Sequence, residues 1–150
     1  MTPHFASQKP KNVTYAEWVL WAWTAWTCVY GMYQAWAGIP AFQDTLATQF
    51  QGMISVTPQE IIGGAAVGYL VLGGICAWIV LAIGRGKRWA RSSVLWGVGL
   101  EVLLLLFPPY GGFEKYFTAF IDVALQGGAV YLLYTWPGRT WFPENKLVKD

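Results

Sequence analysis

The chain reads as an all-α integral membrane protein. It is predicted to form a four-helix, up-down-up-down bundle with a short amphipathic interfacial helix in its first outer loop. Three observations lead there. Four long apolar runs occupy approximately residues 16–37, 61–83, 92–107 and 116–135, each near the ~20 residues that a helix needs to cross ~30 Å of hydrocarbon. Hydrophobic residues make up 55% of the sequence and charged residues 12%, about half the charge of a typical soluble domain. The ten Lys and Arg residues are also segregated. Lys9 and Lys11 precede the first run, Arg85, Lys87, Arg88 and Arg91 crowd the link after the second, and Arg139, Lys146 and Lys149 follow the fourth. Only Lys115 falls on the other side. Short basic loops stay cytoplasmic, so both termini and the 84–91 link are expected inside. At 150 residues there is room for a single transmembrane domain and no separate soluble one.

In the first span, Thr14-Tyr15-Ala16-Glu17 reads as a capping box, in which hydroxyl and carboxylate satisfy free backbone donors. Ala35-Trp36-Ala37 resembles a signal cleavage site, but the apolar stretch exceeds a normal h-region and carries bulky indoles, so the span is expected to be retained. The next segment, Gly38–Thr57, is the longest loop. Phe42, Leu46, Phe50, Met53 and Ile54 recur there at helical spacing with polar residues between them. The pattern predicts a helix over about 41–54, lying in the outer interface or docking onto a partner protein. This loop has no Lys or Arg to hold an anionic substrate.

Thr57-Pro58-Gln59-Glu60 is a second capping box, with Pro at the first helical position, where its missing N–H costs nothing. It opens the second span, which carries Gly64 and Gly68 four apart, then Gly73 and Ala77; the fourth span repeats the spacing at Ala124 and Gly128. Small residues so spaced let helix backbones approach closely in lipid, either within the bundle or between copies of the chain. Gly84-Arg85-Gly86 makes the inner turn, and Pro108-Pro109-Tyr110-Gly111-Gly112 ends the third span in a tight outer hairpin. Of ten Trp residues, Trp18, Trp36, Trp89, Trp136 and Trp141 fall where interfacial anchors belong.

Chemistry-bearing residues are few. Glu101 and Asp122 lie inside apolar runs, about 9 and 10 Å from the outer ends of spans three and four at ~1.5 Å per residue. Gln126 follows Asp122 by one turn on the same face. Antiparallel neighbours place both carboxyls at one level, with no basic residue inside the spans to neutralise them. Intramembrane acids are costly and mark functional sites by default. Here they read either as a proton, cation or polar-ligand site or as interhelical hydrogen-bonding groups. Cys28 and Cys76 lie at different depths, which argues against a disulfide. The single histidine, His4, is in the N-terminal tail, so no metal site is expected. No catalytic set, phosphate loop or cofactor motif is present. The basic residues Arg85, Lys87, Arg88 and Arg91 read as topology signals or contacts to anionic lipid, not as a nucleic-acid surface.

Two stretches carry a family resemblance. Ile83-Gly84-Arg85-Gly86-Lys87-Arg88-Trp89-Ala90-Arg91 resembles the G-R-N-W-A-R inner hairpin of a broad group of small four-span bacterial inner-membrane proteins. The segment 129–142, closing in Leu132-Leu133-Tyr134-Thr135-Trp136-Pro137-Gly138-Arg139-Thr140-Trp141-Phe142, is similar to that group's ending, L-L-F/Y-T-x-P-x-R-x-W-F. This chain departs from the group at Lys87-Arg88 and in its Trp-rich first span. The resemblance implies architecture and a bacterial inner-membrane location; it carries no catalytic residues.

Three functional classes follow. The first is a non-catalytic interaction protein: an accessory subunit, assembly factor or immunity-type partner of another membrane protein. The second is a small oligomeric transporter or channel using Glu101, Asp122 and Gln126. The third is a lipid- or quinone-binding enzyme, disfavoured because no nucleophile–base pair can be assembled. Membrane lipids, and another membrane protein or a second copy of the chain, are the expected partners.

Overall fold

The computed structural model describes residues 9–49, 56–105 and 113–142. Among them every regular element is helical: α1 (Lys11–Ala37), α2 (Ile39–Gln49), α3 (Pro58–Gly84), α4 (Arg88–Leu105), α5 (Phe113–Tyr134) and a one-turn 3₁₀ helix (Gly138–Trp141). Four of these match the four apolar runs, with α1 beginning earlier than expected. Pro10 offers its carbonyl to the amides of Val13 (3.0 Å) and Thr14 (3.3 Å), so Thr14 lies within the first turn and not before it. Glu17 accordingly serves no cap. It pairs with Lys9 and lies against Gly84. The second capping box forms as read: Glu60 accepts from the Thr57 amide (2.7 Å) and hydroxyl (2.8 Å), while the Thr57 hydroxyl accepts from the Glu60 amide (3.3 Å). These bonds hold the Glu60 carboxyl below the usual carboxylate range, at a position ahead of the apolar stretch.

Two helices among the described residues are long and apolar enough to cross a membrane: Pro58–Gly84 and the Tyr116–Tyr134 part of α5. Four spans are therefore not established. At 27 residues, α1 reaches about 40 Å, but Lys11, Glu17, Gln34 and its indoles and phenols dilute its apolar character. The shorter α4 carries Arg88, Arg91 and Glu101. In α3 only 22% of the most apolar stretch is buried, a share far below what the core helix of a water-soluble domain shows.

The chain divides into two compact units, residues 24–77 and the remainder on either side. The apolar core belongs to the second of these. Val13, Ala16 and Leu20 of α1 meet Val80, Ala82 and Ile83 of α3, Ala90 and Val94 of α4, Ala129 and Leu133 of α5, and Phe142. Trp78 and Trp89 flank the inner turn with ring centroids 4.6 Å apart.

Within residues 24–77, α1 and α3 pack through one face of each. Half-buried α3 positions fall at Ile61, Ile62, Ala65, Ala66, Tyr69, Gly73, Cys76 and Ala77, a helical stripe. Gly31 is buried, and a side chain there would run into the Tyr69 ring. Cys28 Sγ lies 3.7 Å from the Tyr69 carbonyl oxygen and 3.2 Å from where a Gly73 Cβ would stand. Cys76 therefore follows the Cys28 contact by one turn, so counting residues overstated their separation; both thiols are free. In α2 no residue is buried, and Gln43 ties it to the segment leading into α3 by donating to the Val56 carbonyl (2.9 Å). The amphipathic helix thus exists over 39–49; the remainder of the predicted 41–54 stretch, with Phe50 and Met53, lies outside the described residues. So do the outer hairpin at Pro108–Gly112, and Lys146 and Lys149.

Candidate functional site

The sequence places Glu101, Asp122 and Gln126 at one level, and α4 and α5 bring them to a shared neighbourhood through two distinct contacts. Gln126 is buried at 3% exposure and donates from Nε2 to Glu101 Oε1 at 2.6 Å. Room for this amide comes from Gly97, one turn before Glu101 on α4. A Cβ at Gly97 would stand 3.2 Å from Gln126 Oε1. One turn earlier on α5, Asp122 Oδ1 accepts from the Trp23 indole at 3.1 Å. The two acids are therefore not paired with each other; each has its own neutral donor. Trp23 was missed as a partner because its indole N–H resembles those of its many neighbours in sequence, and only the α1–α5 packing singles it out.

One oxygen is left over. Glu101 Oε2 is buried and has no hydrogen-bond partner among the described residues. Buried polar atoms are paired as a rule, and each exception marks strain or a place for a ligand, an ion or water. The cluster is thus a polar island with one open acceptor, able to take a proton or a donor group. Among the described residues no group of three or more His, Cys, Asp or Glu side chains is placed to hold a metal.

The small-residue positions split. Gly73 packs against Cys28, and Ala77 is half-buried. Among the described residues, Gly64, Gly68 and Gly128 have nothing within 4 Å of an added Cβ, and Ala124 is exposed. On α3 these open glycines, with Gly63 and Gly74, share the face opposite Tyr69 with Val67, Val71, Ile75 and Trp78, all exposed. On α2, Phe42 is exposed and Leu46 half-buried. Phe42, Gln34, Ala35, Gly38 and Ile61 line an open apolar recess of about 280 Å³.

The basic hairpin also splits. The Arg91 guanidinium lies over the Tyr134 ring (4.3 Å to its centroid) and the Phe142 ring (4.9 Å), an arrangement that fixes it by cation–π attraction. Arg85 and Lys87 remain exposed and Arg88 is half-buried. Comparison with protein families, with characterised proteins and with solved structures finds no match to this chain.

Proposed function

We propose that this chain is a non-catalytic interaction protein of the bacterial inner membrane. In this reading all four long helices cross the bilayer, both termini are cytoplasmic, and another membrane protein or a second copy docks along α3. One observation carries the proposal. The most apolar helix uses one face to pack on α1 and leaves the opposite face, with Gly63, Gly64, Gly68 and Gly74, without a neighbour among the described residues. Glycines that spend helix stability and gain no internal packing are accounted for when a second helix approaches there, since close approach is what small residues provide in lipid. The exposed Phe42 side of α2 extends the apolar surface available to that partner.

Mild-detergent extraction followed by cysteine cross-linking from Val67→Cys and Val71→Cys tests the reading. Expected are cross-links to a defined partner or a second copy, abolished by Gly64→Leu with Gly68→Leu. A chain that stays monomeric and unaccompanied, with no cross-link in intact membranes, overturns it.

A second reading, a small oligomeric transporter, draws on the unpartnered Glu101 Oε2. Proton- or cation-driven flux in liposomes that disappears in Glu101→Gln supports it, and flux-free vesicles exclude it.

A further inference from the structure

The structure brings together two stretches, at Ile83 and Trp141, that lie 58 residues apart in sequence. Gly86, at the centre of the inner turn, has φ +70°, a backbone region that L side chains rarely adopt. Its Cα faces the C-terminal 3₁₀ turn, and a Cβ there would stand 3.0 Å from the Trp141 carbonyl oxygen and 3.4 Å from the indole nitrogen. That indole donates to the Ile83 carbonyl at 3.2 Å, satisfying one of the acceptors left free at the end of α3. The tail after α5 therefore rests on the hairpin. Phe142, 2% exposed, and the Arg91 cation–π contacts lock it there.

The docking has an electrostatic consequence. Gly86 sits between Arg85 and Lys87, both exposed. The 3₁₀ turn resting on it carries Arg139, also exposed, two residues before Trp141. Arg88 follows at the start of α4, whose first turn has no acidic residue, and Arg91 adds its charge behind them. Among the described residues, the Glu17 carboxylate lies against Gly84 and is paired with Lys9. Trp89 and Trp136 are exposed beside this cluster, as interfacial indoles are at headgroup level.

We propose that Arg85, Lys87 and Arg139, gathered by the docking of Trp141 on Gly86, form a binding site for the phosphate of an anionic glycerophospholipid of the inner leaflet. Arg91 supports the site as a fixed charge held between two rings and does not contact the lipid. Several cations converge on one headgroup, and guanidinium forks match phosphate oxygens. The site rests on the membrane placement proposed above and not on what docks along α3.

The chain is reconstituted in phosphatidylcholine vesicles containing a few per cent of spin-labelled phosphatidylglycerol or spin-labelled phosphatidylcholine, and the protein-bound fraction of each label is compared. The wild type is expected to prefer the anionic label, and each of Arg85→Gln and Arg139→Gln to lower that preference on the order of fivefold. Arg139→Lys keeps most of the preference. Trp141→Phe retains the ring but not the N–H bond to Ile83, and is expected to lower the preference although no cation is removed. Equal association of the two labels with the wild type, or an unchanged preference in the Arg85→Gln/Arg139→Gln pair, overturns the proposal. Failure of the chain to enter vesicles at all overturns the membrane placement instead, and loss of α3 cross-links leaves the lipid result standing.

Discussion

Gln126→Leu isolates the contribution of the polar contact buried between α4 and α5. The replacement nearly conserves volume, so packing changes little, but Glu101 Oε1 loses its 2.6 Å donor. Oε2 already lacks one, and at 3% exposure for residue 126 water cannot take the vacated place. An interhelical hydrogen bond in lipid is worth about 0.6 kcal/mol on average and up to ~1.7, while a buried polar group left unsatisfied costs about 1–3 kcal/mol. The second effect dominates, so the expected loss is about 1.5–3 kcal/mol. Glu101→Leu combined with Gln126→Leu removes both partners and should cost less than Gln126→Leu alone. Reversible unfolding by sodium dodecyl sulfate in bicelles, followed by tryptophan emission, measures all four corners of the cycle. Additivity within ~0.3 kcal/mol, or a Gln126→Leu protein as stable as wild type, refutes the reasoning.

The remaining predictions concern packing, backbone and pH. Gly31→Ala drives a methyl into the Tyr69 ring and is expected to cost about 1–3 kcal/mol by overpacking, recovered in part by adding Tyr69→Leu, in the same unfolding assay. Gly86→Ala meets both a positive φ and the Trp141 carbonyl; a loss of about 1–3 kcal/mol with increased proteolysis after α5 is expected, and an unaffected tail would exclude the docking described. By contrast, Gly64→Leu adds atoms into open space, so monomer stability in detergent stays within ~0.5 kcal/mol of wild type even where association is lost. The Glu60 carboxyl is held below its ordinary range by Thr57. Its contribution to the α3 cap is therefore present above the unfolded pKa and fades as pH falls through the folded value. Amide exchange at residues 57–61 is expected to accelerate in acid relative to its intrinsic rate, and Glu60→Gln to remove that dependence.

Helix content was legible because it follows from composition and local spacing. Runs of Leu, Val, Ile and Ala at residues 61–83 and 116–135 cannot leave backbone polar groups unpaired in an apolar setting, and helices pair them internally. Thr57 and Glu60 were legible for the same local reason: both partners of the box lie within four residues. The first box failed because Pro10, outside the pattern considered, supplies an earlier start. The candidate acids were legible as oddities inside apolar runs, but their partners were not. Which donor meets Asp122 depends on how α1 rotates against α5, and rotation is set by packing distributed over many side chains. The same holds for Arg91. A basic cluster in sequence does not say which cation turns inward onto Tyr134 and Phe142 and which remain outside. Small residues four apart signal close approach, yet only three-dimensional packing separates Gly73, which meets Cys28, from Gly64 and Gly68, which meet nothing among the described residues.

The indole pair at Trp78 and Trp89, with centroids 4.6 Å apart and planes tilted by 39°, gives the molecule a built-in optical gauge. Transition dipoles that close and that oblique couple, and the coupling splits their absorption into a circular-dichroism couplet of opposite lobes. Because one ring lies in the last two turns of α3 and the other in the first turn of α4, any spreading of that turn weakens the couplet before helicity is lost, so its closure can be followed in unlabelled protein.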